Sequence, residues 1–195
     1  MSTKTASTAE EPLQTRRQHL LEAAARVFCV QGFKGATLRE IADEAGILAG
    51  SVYHHFPSKD ALFIEVQHEG FRRMLKAVDA AVQPKRDPWQ RLEALLRAHL
   101  QEMLSGDPIA KVTGLGLLDG RDESFKLMLQ GERDEYESRL RALIDALPLA
   151  RRIDRSLLRL QLLGALNWTL LWYRPGGKSP AQIAQHLVAL IRYSA

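Results

Sequence analysis

A chain of 195 residues is long enough for one or two domains with a real core, and 46% hydrophobic with 26% charged residues fits an ordinary soluble globular protein. One cysteine, Cys29, excludes an intrachain disulfide and fits a reducing, cytoplasmic compartment. The net charge of +4 suits nucleic acid without establishing it, because over residues 1–63 the lysines and arginines are matched one for one by acids.

Residues 1–12, MSTKTASTAEEP, are polar, contain acids and lack an apolar core, so they read as a disordered leader rather than a secretory signal or a membrane span. A first helix is expected from about Leu13 to Gln31, with Leu20, Leu21, Ala24, Val27 and Phe28 in one apolar stripe and Gly32 ending it. Cys29 fits a small core position. Arg16 and Arg17, at the helix's exposed start, are candidates for phosphate contact, or else simply solvated. Thr37-Leu38-Arg39-Glu40 then spells a capping box. The short helix behind it places Leu38, Ile41, Ala42 and Ala45 on one face. Gly46 supplies the corner, and a second short helix follows over Leu48–His54 until Phe56-Pro57 stops it. Two short helices across a glycine turn describe a helix-turn-helix.

Ser58 starts a long helix to about Val82, with Leu62, Val66, Phe71, Leu75, Val78 and Val82 along one side. Asp87-Pro88, Asp107-Pro108 and Ser179-Pro180 repeat one device, an oxygen-bearing cap before a proline at the first helical position. They announce helices near 88–105, 108–118 and 180–194. Arg121–Leu147 gives a charged helix with Tyr136, Leu140, Leu143, Ile144 and Leu147 inward, and residues 152–173 a helix apolar on almost every side. No stretch alternates as a strand would. The expected fold is all-α, about nine helices in all: a three-helix DNA-binding domain with the helix-turn-helix over 13–57, and a second helical domain over 58–195.

The residues Phe33, Thr37, Ile41-Ala42, Ala45-Gly46, Gly50-Ser51, Val52-Tyr53, His55-Phe56 and Ser58-Lys59-Asp60-Ala61-Leu62 resemble the DNA-binding domain of TetR-type transcriptional repressors, over about Arg17 to Phe63. Leu48 and Ala49 depart from the commonest pattern, a serine cap and a lysine, and leave the second helix poor in base-reading side chains. The resemblance implies a homodimer on a pseudo-palindromic double-stranded operator, each protomer setting Leu48–His54 into a major groove. It implies phosphate anchors at Thr37, Ser51, Tyr53, His54 and Lys59, and close approach of backbone to DNA at Gly50. Arg39 is the candidate for base contact, with a phosphate contact or a pair with Asp43 as its alternatives. Leu38 and Ala49 complete the expected surface.

In the same family, two C-terminal helices from each protomer make a four-helix dimer interface. Here Leu162, Leu166, Leu170 and Tyr173 are expected to face the protomer core, and Gly164, Trp168 and Trp172 a partner chain. Asn167-Trp168-Thr169 with Trp172-Tyr173-Arg174-Pro175-Gly176-Gly177 also resembles a TetR subgroup that controls catabolism of fatty acids, steroids or aromatic acids and responds to acyl-CoA thioesters. That resemblance implies a greasy pocket lined by Leu95, Leu96, Leu100, Met103, Leu104, Phe125, Met128 and Leu129, with Trp168 as a further contact. Arg121, Lys126 and Arg133 would meet CoA phosphates. The alternatives are plain core packing with solvated cations, a lipophilic-drug sensor beside an efflux gene, and a helix-turn-helix protein whose second domain binds another protein.

Nothing in the residue pattern suggests an enzyme. Ser51 beside His54 and His55 lacks an oriented acid and an oxyanion element, His19, His68, His99 and His186 are scattered, and Gly114-x-Gly116 follows no strand. No cofactor, metal or membrane association is expected.

Overall fold

The computed structural model describes residues 13–118 and 127–194, and among them the chain is entirely helical. It divides into two compact units after Phe63. The expected leader lies outside the described residues.

In the first unit, helix α1 (Leu13–Gly35) buries the expected stripe of Leu20, Leu21, Ala24, Val27 and Phe28. Each such leucine or phenylalanine taken from water contributes about 1.5–3 kcal/mol. Gly32 does interrupt the helix, at φ 69, but helical residues resume behind it as far as Gly35. Helix α2 (Leu38–Glu44) and helix α3 (Ala49–His55) pack on this scaffold through Ile41, Ala42 and Val52, each 0% exposed. Helix α4 (Lys59–Val82) starts from Ser58, whose hydroxyl accepts from the Ala61 amide at 3.1 Å. Its first turn belongs to this unit because the Phe63 ring stands edge-on to Phe28 and Phe33, centroids 5.1 Å away in both cases. The division therefore falls inside α4, six residues beyond the boundary expected at residue 57.

The second unit holds the rest of α4, then α5 (Pro88–Met103), α6 (Pro108–Leu118), α7 (Gln130–Asp145), α8 (Arg155–Trp172) and α9 (Pro180–Ser194). Helix α5 is its centre, touching α6, α7, α8 and α9 and burying Leu92, Leu95, Leu96 and Leu100 completely. The proline-led caps are present. Asp87 accepts from the Gln90 amide at 2.9 Å, Asp107 from Ile109 at 3.2 Å, and Ser179 from Gln182 at 3.2 Å.

Two boundaries differ from expectation. Helix α8 starts at Arg155, because Asp154 takes the capping position and accepts from the Leu157 amide at 3.0 Å. The freed Arg155 guanidinium turns back to the carbonyls of Ile144 and Leu147, the end of α7. The charged helix expected from Arg121 starts at Gln130, behind a turn at Leu129, and residues 121–126 lie outside the described residues.

Candidate nucleic-acid interface and effector cavity

The turn between α2 and α3 follows from Gly46. At φ 67 it lets its own amide reach the Asp43 carbonyl at 3.1 Å and lets Ile47 reach Ala42 at 3.0 Å, the paired bonds of a Schellman ending. At the other end of α2 the capping box is closed. The Thr37 hydroxyl accepts from the Glu40 amide at 3.2 Å, and Glu40 accepts from the Thr37 amide at 2.9 Å. A bond donated by the Thr37 hydroxyl, then that backbone bond, holds the Glu40 carboxyl below its ordinary value.

Of the expected DNA-facing residues, Arg16, Thr37, Arg39, Ala49, Gly50, Tyr53 and His54 are exposed, while Leu38 and Ser51 are half-buried. Two cations have intramolecular occupations. The Lys59 ammonium donates to the carbonyls of Phe33 at 2.8 Å and Ala36 at 2.7 Å and lies 4.6 Å from the Phe33 ring centre. It closes the end of α1, where expectation had it anchoring phosphate. The Arg17 guanidinium stacks 5.0 Å above the Phe56 ring.

The second unit contains a cavity of about 180 Å³. It is lined by Gly70, Phe71, Arg73 and Met74 of α4, His99, Glu102 and Met103 of α5, Ala110, Thr113 and Gly114 of α6, Arg133, Tyr136 and Glu137 of α7, and Leu163 and Asn167 of α8. Met103 and Arg133 are the expected ligand residues that stand on this wall, among the described residues. Leu96 and Leu100 are 0% exposed and belong to the packed core, Leu129 is buried away from the cavity, and Met128 and Trp168 are exposed at the surface. Phe125, Arg121 and Lys126 lie outside the described residues. The apolar stripe of α5, expected as lining, is what the neighbouring helices cover, and the wall is made by the flank carrying His99 and Met103.

That wall is polar in places. His99 Nδ1 is 2.7 Å from the Tyr136 hydroxyl, and burial lowers the imidazole's pKa to about 4, leaving it neutral. His99 Nε2, Arg133 Nε and Asn167 Oδ1 are buried with no hydrogen-bond partner in the structure. Arg73 is tied down, donating to Glu69 and Asp107 at 2.7 Å each. The sequence signal for His99 is slight, a histidine between Ala98 and Leu100 on a leucine-rich helix that also carries Glu93 and Arg97.

Helices α4 and α6 meet over glycines. A Cβ on Gly70 would fall 1.9 Å from Thr113 Oγ1, and one on Gly116 would fall 2.4 Å from Gln67 Nε2. Gln67 is 1% exposed and donates to the Val112 carbonyl at 3.2 Å.

A helix-turn-helix closed by a Schellman glycine, followed by a separate helical unit with a cavity among its helices, is the build of a DNA-binding transcriptional regulator. The family model for bacterial regulatory proteins of the tetR family matches residues 20–66, and the tetracyclin repressor-like C-terminal domain matches residues 85–194. The chain belongs to the TetR family. It is similar to the HTH-type transcriptional repressor KstR2 of Mycolicibacterium smegmatis, 29% identical over 187 residues that cover 91% of this chain and 89% of that one. Its fold is also that of AibR in complex with isovaleryl coenzyme A and operator DNA, with a TM-score of 0.78 at 24% identity over 90% of this chain and 97% of that one. FadR from Bacillus subtilis in complex with stearoyl-CoA has a TM-score of 0.77 at 18% identity, over 89% and 96% of the two chains. No helix among the described residues is long and apolar enough to cross a membrane, and no group of His, Cys, Asp and Glu among them could hold a metal ion.

Proposed function

We propose that the protein is a homodimeric repressor released from a pseudo-palindromic operator by a small apolar effector in the cavity of its second unit. The effector favoured is the acyl group of a CoA thioester. The observation that carries this reading is the cavity itself, walled by Phe71, Met74, Met103 and Leu163 and interrupted by His99, Arg133 and Asn167, each with one buried polar atom that lacks a partner. An apolar chain bearing one carbonyl suits that mixture, the chain against the hydrocarbon and the oxygen beside a donor. At about 180 Å³ the cavity is smaller than the roughly 300–1,000 Å³ common for drug-sized ligands. A short acyl chain fits that size better than a bulky lipophilic drug, and the nucleotide of CoA would lie outside. Two proteins of this fold hold acyl-CoA, isovaleryl in AibR and stearoyl in FadR.

Dimerisation is supported by α8 and α9. Leu157, Leu160, Trp168, Leu171 and Trp172 of α8 and Leu190 of α9 are between 45% and 58% exposed, an apolar face that water does not stabilise. Release is read as a population shift, with the effector favouring the dimer geometry that fits DNA less well. The lever is α4, which carries Gly70, Phe71 and Met74 to the cavity and begins at Lys59 in the DNA-binding unit.

The test is fluorescence anisotropy of the protein on its own upstream DNA at fixed salt, titrated with acyl-CoA thioesters of graded length and with their free acids. Fixed salt is needed because phosphate contacts make affinity salt-dependent. Release by short-chain thioesters and not by the acids supports the reading. Release by lipophilic drugs alone would replace it with the efflux-gene sensor.

A further inference from the structure

The turn into α3 leaves an aliphatic side chain in water where a helix-turn-helix meets DNA. Leu48 is 80% exposed at the N-cap of α3 (φ −69, ψ 139), and its side chain makes no capping bond. The fold does not need it there. Val52 (0% exposed) and Phe56 (2%) hold α3 to the unit, and a serine, threonine or aspartate at the N-cap would be worth about 1 kcal/mol to the helix.

Gly50 is a second, independent sign. It lies inside α3 without a positive φ, and a Cβ there would meet nothing within 4 Å. Glycine inside a helix costs about 1 kcal/mol against alanine, and no crowding or turn within the chain requires it here. What remains is close approach by an outside surface. In a helix-turn-helix that surface is DNA, and residues at the start of the second helix reach the base edges.

The first turn of α3 is Ala49-Gly50-Ser51, without guanidinium, amide or carboxylate, and Ile47 beside it is 37% exposed. Base edges in the major groove present donors, acceptors and one apolar group, the thymine 5-methyl. We infer that Leu48, with Ala49 beside it, reads thymine through that methyl group, so that the operator half-site is specified at this position by apolar contact. Arg39, Tyr53 and His54 of the same unit are also exposed. The inference rests on the operator-binding reading.

The experiment uses the full-length protein and an operator selected by it from random-sequence duplexes. Each thymine of one half-site is replaced in turn by deoxyuridine, which removes only the methyl, and binding is followed by anisotropy at fixed salt. One or two positions should weaken wild-type binding by about 3- to 5-fold, the worth of one buried methyl. Leu48→Ala should bind the thymine and uracil duplexes alike at those positions, at an unchanged melting temperature. Tyr53→Phe should bind all duplexes more weakly and keep the uracil sensitivity. Indifference of the wild type to every replacement, or a sensitivity that survives Leu48→Ala, overturns the inference. Failure to select any sequence would instead remove operator binding itself.

Discussion

His99 of α5 and Tyr136 of α7 are joined inside the second unit by a 2.7 Å contact between Nδ1 and the phenol oxygen, with only 4% and 5% of the two residues exposed. Burial disfavours the charged form of each, so the imidazole titrates near pH 4 and the phenol well above its ordinary value. A neutral imidazole has one donor and one acceptor nitrogen. With Nδ1 engaged by Tyr136, Nε2 is the nitrogen left for another group.

The same shift predicts an acid sensitivity. In the unfolded chain His99 takes up its proton near the ordinary imidazole value of 6.5, while the folded state resists until about 4. Between those values the unfolded state binds more protons, so stability falls as pH falls through this window, by an amount on the order of 3 kcal/mol at its lower end. Urea midpoints measured from pH 7 to pH 4 should therefore decline more steeply for wild type than for His99→Gln. Asp79, whose carboxyl is held low by the Arg139 guanidinium, contributes stability above the ordinary carboxylate range and loses it on further acidification. Both proteins should share that later loss. Parallel profiles down to pH 4 would remove His99 as the source.

Gly70→Ala tests the seam between α4 and α6. The new methyl would lie 1.9 Å from Thr113 Oγ1 and 2.8 Å from Thr113 Cβ, inside any van der Waals contact, so one helix must shift. Overpacking of this kind costs about 1–3 kcal/mol. Adding Thr113→Ala removes the closest atom and should recover part of the loss. The readout is a double-mutant cycle in urea unfolding, and strict additivity would mean that the two residues do not press on each other.

Local signals in the sequence were legible because they act within a few residues. Thr37 and Glu40, Gly46, and the aspartate or serine before Pro88, Pro108 and Pro180 all do in the fold what their chemistry announced. Departures came where a distant partner decides. Lys59 is drawn to carbonyls of residues 33 and 36, far from it in sequence, so its position in a motif did not reveal its bond. The cavity wall is hidden in the sequence for a related reason. Apolar periodicity marks the side of α5 that packs, and the cavity wall lies beside that stripe, where His99 and Glu102 break the pattern. The apolar surface of α8 was legible as all-round hydrophobicity, since a helix with two faces to cover needs two apolar sides.

Trp168 and Leu160 lie two turns apart on α8 and are 58% and 54% exposed. If that face is the dimer seam, a double substitution Leu160→Glu and Trp168→Glu sets like charges in an apolar contact. Sedimentation should then give a monomer with a native-like circular dichroism spectrum. Operator affinity should fall by at least about 100-fold, since a monomer loses the effective concentration that a second half-site provides. A dimer that persists would place the seam elsewhere.

Lys59 separates a structural cation from a DNA-binding one. Its ammonium spends two bonds, of 2.8 and 2.7 Å, on carbonyls at the end of α1 and lies over the Phe33 ring. Bonds from a charged donor to such acceptors are worth about 1.5–3 kcal/mol each when partly shielded from water. Lys59→Met keeps the aliphatic stem and should lower stability by about 1–3 kcal/mol, read as a reduced urea midpoint at unchanged slope. The slope of log affinity against log salt on operator DNA should stay as in wild type, because no phosphate loses its cation. Arg39→Ala should do the reverse, leaving the urea midpoint within about 0.5 kcal/mol, as expected for an exposed side chain, while flattening preference at one base pair. A salt slope reduced by about one unit in Lys59→Met would return that lysine to the phosphate backbone.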